Sequence, residues 1–374
     1  MDYSYVGFSR WCTRVGALAG ALAVIGCGGD STGPAGPDPR WALAWVEKMN
    51  NDEEYEVDPY YSSSTQGAII SQRTAVGSYT VRFPGLAAKS GWKQTVQVSA
   101  YGSALRRCRV VSTANNGADL VAQVQCHNSN GDLANSQFDI LVVPARSTEG
   151  RSAFAISPVS GNGFAPVATS YNSAGKRIQF TRDDTGVYFV TLEGLARPDD
   201  NPNAKETFHV TAYGTGANWC KLGGWDEIWD DDGPTGDFRL RVLCFTPNGT
   251  PADAQFSFVM LDKGRPEHRL GYVWAHAQAT ANYTPSTAYN FNSSGTASTA
   301  TRDAAGVYVI TWSGLKRTGT STAETNLVTA YGSDANYCQV GGWSFGATDG
   351  FVTIRCYAPN GTAVDSRFVA IWIE

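Results

Sequence analysis

Apolar and polar residues alternate in short runs along most of the chain, with glycine and asparagine between the runs. Residues 77–83 read Gly-Ser-Tyr-Thr-Val-Arg-Phe, which puts Tyr79, Val81 and Phe83 on one side and Ser78, Thr80 and Arg82 on the other. A period of two is the pattern of a half-buried strand. Residues 186–192 and 306–312 repeat it. Further strands are predicted over 95–101, 209–213 and 327–331, and a last set over 138–143, 256–261 and 368–373. Asn-Gly pairs at 130–131, 248–249 and 360–361 lie between apolar runs, and that dipeptide favours a tight hairpin because it tolerates positive φ. No window sustains a helical period.

The runs recur three times, over 41–144, 152–261 and 271–374. Arg73, Gly77 and Tyr79 match Arg182, Gly186 and Tyr188, and Arg302, Gly306 and Tyr308. A Gly-Leu pair follows at 85–86, 194–195 and 314–315, then Ala-Tyr-Gly at 100–102, 212–214 and 330–332. A cysteine stands six residues past that glycine (Cys108, Cys220, Cys338), and a second (Cys126, Cys244, Cys356) four residues before Asn-Gly. Phe138, Phe256 and Phe368 each follow seven residues after the Asn-Gly glycine. Six to eight short strands in units of about 105 residues predict an all-β fold, three tandem β-sandwich or jelly-roll-like domains. The connectors, 145–151 and 262–270, are short, so successive repeats should touch, as a curved rod or as a compact pseudo-threefold trefoil.

The first 40 residues do not belong to this pattern. Arg10 and Arg14 precede an uncharged apolar run of 12 residues, 15–26. A membrane helix needs about 20 such residues, whereas a secretory signal peptide needs fewer. The run ends in Val24-Ile25-Gly26-Cys27, which resembles the lipobox of bacterial lipoproteins. The resemblance implies that 1–26 is a lipoprotein signal peptide and that Cys27 becomes the lipidated first residue of the mature chain. Several acyl chains give stable anchoring where one gives marginal binding. Residues 27–40 would then be the lipidated cysteine and a flexible Gly/Pro tether. Gly28 stands where that family often carries an inner-membrane retention aspartate, so the expected place is the outer membrane or cell surface, with the membrane a partner through the anchor.

Six cysteines remain after Cys12 and Cys27, two per repeat at matching positions. The repeat selects Cys108–Cys126, Cys220–Cys244 and Cys338–Cys356 as disulfides, each worth about 3 kcal/mol in the chain-entropy model. Disulfides require an oxidising compartment, which agrees with export. Metal ligation is the poorer reading, since two thiols per repeat lack CxxC spacing and His127, beside Cys126, has no counterpart in the other repeats.

The 374 residues carry 29 Lys+Arg against 34 Asp+Glu, a formal charge of −5. That balance gives no reason to expect nucleic acid. The four histidines, His127, His209, His268 and His276, occupy no shared repeat position. With no GxSxG, HExxH or P-loop, the expectation is a protein that is not an enzyme, without catalytic residues. The Arg and Tyr of RxxxGxY read as a structural corner.

Two departures from the repeat are the places to look for function. The second cysteine pair is separated by 24 residues against 18 in the others, and the insertion carries Asp226, Asp230, Asp231, Asp232 and Asp237. Clustered carboxylates with glycine-permitted turns suit calcium, the one cofactor considered. Trp219, Trp225 and Trp229 crowd the same loop, and Trp343 matches Trp225. Loop tryptophans on a β-sandwich can stack on sugar rings, so these three are the candidate polysaccharide site. The repeat unit also looks like repeats in exported bacterial proteins of unknown function, which implies architecture alone. The expected function is non-enzymatic binding or adhesion by a lipid-anchored envelope protein, towards a polysaccharide or a cell-surface protein. A carbohydrate-binding module array and a structural envelope spacer are the alternatives.

Overall fold

A computed structural model describes residues 41–88, 93–145, 150–158, 170–197, 206–230, 233–262, 269–319 and 323–374, with backbone alone at 229–230 and 233–234. The expected signal peptide, lipidation site Cys27 and tether, all within residues 1–40, lie outside the described residues.

Strands account for nearly all regular structure among the described residues. The first repeat forms β1 (Ala42–Val46), β2 (Tyr55–Glu56), β3 (Ser62–Ser64), β4 (Ile70–Ala75), β5 (Ser78–Phe83), β6 (Gln94–Tyr101), β7 (Arg107–Asn116), β8 (Asp119–His127) and β9 (Gln137–Pro144). The second forms β10 (Ser152–Ile156), β11 (Tyr171–Asn172), β12 (Ile178–Asp184), β13 (Val187–Leu192), β14 (Glu206–Tyr213), β15 (Trp219–Asp230), β16 (Gly233–Phe245) and β17 (Gln255–Asp262). The third forms β18 (Leu270–Ala275), β19 (Asn282–Tyr283), β20 (Asn290–Asn292), β21 (Thr299–Ala304), β22 (Val307–Trp312), β23 (Thr325–Tyr331), β24 (Tyr337–Phe345), β25 (Gly350–Tyr357) and β26 (Arg367–Ile373), with a 3-10 turn at Thr287–Tyr289.

Each repeat is a two-sheet sandwich. In the first, β3-β1-β9-β6 faces β2-β4-β5-β8-β7, and Val81, Phe83, Val96, Val98, Phe138 and Ile140 fill the space between. Strand β5 keeps the expected alternation, with Tyr79, Val81 and Phe83 buried. Strands β6, β9, β14, β17, β23 and β26 differ, being buried on both faces almost throughout. Their inner side chains pack on the sandwich core and their outer ones on the neighbouring repeats.

The Tyr of Ala-Tyr-Gly joins the sandwiches edge to edge. Tyr213 bridges Val110 of the first repeat, Tyr331 bridges Leu222 of the second, and Tyr101 bridges Val340 of the third, all in parallel. The following glycine amides, Gly214, Gly332 and Gly102, donate to the same three carbonyls at 2.8–3.0 Å. Immediately past each bridge the partner strand bulges, at 110–112, 222–224 and 340–342. A bulge bends and twists its strand, so pairing stops after one residue. The result is three sheets of nine, nine and eight strands, each shared by two repeats. The third repeat returns to the first, so the ring closes as a trefoil.

The ring has two distinct ends. Residue 41, the Gly-Leu turns and Glu374 gather at one end, where Ala42 lies level with Val142, Gln94 with Pro144, and Thr325 with Ile373. The Ala-Tyr-Gly loops, disulfides and Asn-Gly turns occupy the other.

Candidate functional site

Three strands, β6, β14 and β23, line the ring axis. Beyond the single bridge their edges diverge, leaving backbone groups that no strand can pair, and a buried unpaired amide is expensive. One hydroxyl from each repeat meets this need. Thr211 Oγ1 accepts from Val98 N and donates to Val98 O, at 3.2 and 3.3 Å. Thr329 does the same for Val210, at 3.1 and 3.3 Å. Ser99 does it for Val328, at 3.0 and 3.3 Å. Each repeat therefore caps the strand edge of another, in a cycle.

His209 lies against this ring. Its Nε2 is 3.2 Å from Ser99 Oγ and its Nδ1 3.0 Å from Gln97 Oε1. A Ser-His-amide line of this kind resembles a nucleophilic triad, but His209 is 1% exposed and the Ser99 hydroxyl is engaged with backbone. Burial pushes the imidazole pKa down to about 3, and burial with nearby Arg109 and Arg107 pushes that of His127 to about 4. Both are neutral structural groups at ordinary pH.

The residue after each first cysteine reaches into another repeat. Arg109 donates to the carbonyls of Tyr213, Gly216 and Asn218. Lys221 Nζ contacts Asp334 Oδ1 at 2.7 Å and its carbonyl at 3.0 Å. Gln339 donates to Gly102 O and Ala104 O at 2.6 and 2.8 Å, and accepts from Arg106 N at 3.0 Å. The residue before each first cysteine packs at the axis: Arg107 lies over the rings of Trp219 and Tyr337. Above this layer the Asn-Gly turns surround a vestibule of about 630 Å³, lined by Asn130, Asn248 and Asn360 together with Pro247, Thr250 and Pro359. Only glycine fits the turns, since a Cβ on Gly131 or Gly249 would sit 2.5 Å from Pro247 or Pro359 of another repeat.

Two seams between repeats carry aromatic clusters. Trp225 of the second repeat meets Trp274, Tyr289 and Tyr331 of the third. Trp343 of the third meets Trp45 and Tyr61 of the first, and Tyr101 completes the group through Trp45. Beside each runs a buried ion pair, Arg197–Glu206 and Arg317–Glu324, with its arginine stacked on Tyr289 or Tyr60. The first repeat has Ala88, Gln94 and Thr113 at the corresponding positions, so among the described residues the seam between repeats one and two has neither device at these positions.

The expected disulfides are formed, Cys108–Cys126, Cys220–Cys244 and Cys338–Cys356, each across a register pair of neighbouring strands. The candidate tryptophan site is corrected in part. Trp219 is 6% exposed, packed on Phe245 and Tyr337, with its indole N–H donated to Thr246 O. It has no free face for a sugar. Trp225 is half-buried in the seam and donates to Glu206, so the two do not form one platform. The Trp229 side chain lies outside the described residues.

The calcium set is likewise dispersed. Asp237 Oδ1 accepts from Gly194 N at 2.9 Å, as Asp119 does from Gly85 N and Asp349 from Gly314 N. It is a turn residue common to all three repeats. Asp226 is exposed and accepts from the next amide, Glu227 N. Asp231 and Asp232, and the side chain of Asp230, lie outside the described residues. Among the described residues no group of three or more His, Cys, Asp or Glu could hold a metal.

The RxxxGxY motif is the expected corner. Tyr188 and Tyr308 donate to Asp253 and Asp365, the same carboxylates that take Arg182 and Arg302 and the Gly186 and Gly306 amides. The first repeat has Asn135 on Gly77 N, and Arg73 turns to Asp52. No protein-family model, curated protein or solved structure matches the chain.

Proposed function

We propose that the protein is an exported binding protein, non-enzymatic, held at the envelope surface by lipid on Cys27, with the axial vestibule as its contact face. One observation carries the reading. The vestibule of about 630 Å³ opens at the end of the ring opposite residue 41, so a tether leaving the first strand would display it outward. The polar groups deeper along the axis support a binding rather than a catalytic role, because they are spent on holding the repeats together. Three disulfides favour an oxidising compartment.

A sugar ligand is favoured by a separate feature, the seam where Tyr60 is 40% exposed beside Tyr61 and Trp343. Two experiments test the proposal. Cys27→Ser should move the protein from the membrane fraction to the soluble one, and unchanged fractionation refutes the anchor. Affinity electrophoresis of the full chain through a polysaccharide panel, with Thr250→Arg in the vestibule and Tyr60→Ala in the seam, should show retardation lost in the first variant. Loss only in the second moves the site to the seam. No retardation on any polysaccharide excludes them as ligands.

A further inference from the structure

Below the Asn-Gly vestibule, the axis holds a second, partly open space. Residues 98–100, 210–212 and 328–330 wall it on one side, and Arg107, Trp219 and Tyr337 with the cysteines beside them wall it on the other; its volume is about 60 Å³. That is room for a few particles of water size.

Its wall carries positive charge that negative charge among the described residues matches only in part. Arg107 is 8% exposed, and its hydrogen bonds go to carbonyls, Nη1 to Pro247 O and Nη2 to Asn128 O and Ser129 O. Arg106 likewise donates to the carbonyls of Asn135 and Leu105. Lys221, on the same wall, is matched by Asp334. Carbonyl dipoles satisfy both Nη groups of Arg107 but, among the described residues, no carboxylate pairs with its charge, and a buried unpaired charge is costly. Burial accordingly pulls the Arg107 pKa down. Two donors on this wall also have no partner: the Nε of Arg107 and the hydroxyl of Tyr337, which is 3% exposed. Water would satisfy both donors, but only an anion satisfies them and offsets the charge.

We propose that the axial cavity binds one small monovalent anion of the chloride class, held by Arg107 Nε and the Tyr337 hydroxyl. Such an ion would sit where all three repeats meet, so it would act as a structural ligand of the closed ring. The proposal is independent of anchoring and of the vestibule's partner.

Bromide replaces chloride and scatters anomalously. Crystals of the full chain soaked in sodium bromide should show an anomalous peak in the cavity; water density there without an anomalous peak overturns the proposal. In solution, a ligand that binds only the folded state raises its melting temperature. Sodium chloride should raise it by roughly 2–4 °C over sodium gluconate at equal ionic strength. Arg107→Gln should abolish that increment, and Tyr337→Phe, which removes a single hydroxyl, should reduce it. Equal melting in the two salts, or an undiminished increment in both variants, refutes the site. Should Arg107→Gln fail to fold, the soak and the Tyr337→Phe increment decide.

Discussion

Replacing Thr329 by Val tests whether the hydroxyl cycle holds the ring closed. Val is close to Thr in shape but loses the oxygen that accepts from Val210 N at 3.1 Å and donates to Val210 O at 3.3 Å. Thr329 is 3% exposed and Val210 is 5% exposed, so water cannot readily take over. An orphaned buried donor or acceptor costs about 1–3 kcal/mol, and two of them in one place predict a loss of about 2–4 kcal/mol. Thr329→Ser keeps the hydroxyl and removes one methyl, with a loss of about 1 kcal/mol. At roughly 2 °C per kcal/mol for a chain of this size, thermal unfolding should fall by about 4–8 °C for Val and about 2 °C for Ser. Because Thr329 belongs to the third repeat and Val210 to the second, hydrogen exchange in the Val variant should quicken at the Val210 amide. If Val is as stable as Ser, the hydroxyls are incidental and the ring is held by apolar packing alone.

Gln339→Ala leaves Gly102 O, Ala104 O and Arg106 N unpaired, with a loss of about 2–4 kcal/mol and faster exchange at Arg106 as the readout. Gly249→Ala combines a positive φ of 88° with a Cβ 2.5 Å from Pro359; denaturant unfolding should show about 1–3 kcal/mol lost, while Ala at Gly117, with nothing near its Cβ, should lose less. The depressed pKa values of His209 and His127, about 3 and about 4, mean that the unfolded chain takes up protons first as pH falls. Stability should therefore be full above about pH 6.5 and decline between there and about pH 3–4, with a shallower decline in His209→Gln; a decline of unchanged slope in that variant, measured by denaturant midpoints, refutes the assignment.

Much of the sandwich was legible because its signals are local. Alternation in β5, the Asn-Gly hairpins and the cysteine pairs each depend on residues close in sequence or on matched spacing. The choice between rod and trefoil was not, because closure rests on one-residue bridges such as Tyr101 to Val340, which leave no periodic trace. Asp237 shows a different failure. Counting from the first cysteine made it part of an insertion, whereas counting back from the second puts Asp119, Asp237 and Asp349 each seven residues before it, which marks a shared turn. The place of Trp219 is legible in the same way. Its counterparts immediately before the first cysteine, Arg107 and Tyr337, are also large, and three bulky groups at one repeat position signal a meeting at the axis. The hydroxyls of Ser99, Thr211 and Thr329, all directly before Ala-Tyr-Gly, gave the same signal.

Divergence between the seams follows from how the chain is connected. Residues 145–151 tie the first repeat to the second and 262–270 tie the second to the third, but no connector spans the seam from third to first. That closure must come from non-covalent contacts, and there, beside the Tyr101–Val340 bridge, Trp343, Trp45 and Tyr61 cluster next to the buried Arg317–Glu324 pair. Between the first and second repeats Thr113 stands where the other seams have tryptophan, and Ala88 and Gln94 replace both partners of the ion pair. Loss of one partner alone would strand a buried charge, which is strongly destabilising; loss of both is tolerable. Arg109, with three carbonyl contacts to the second repeat, and the covalent connector share the load instead. The seam between the second and third repeats has both a connector and the aromatic cluster, so connectivity alone does not decide where clusters persist. What distinguishes it is the longer β15–β16 hairpin that carries Trp225, and Glu227 on that hairpin accepts from Arg197 N. There the cluster buttresses the hairpin as well as the ring, which places the insertion of the second repeat on a seam that also has a covalent connector.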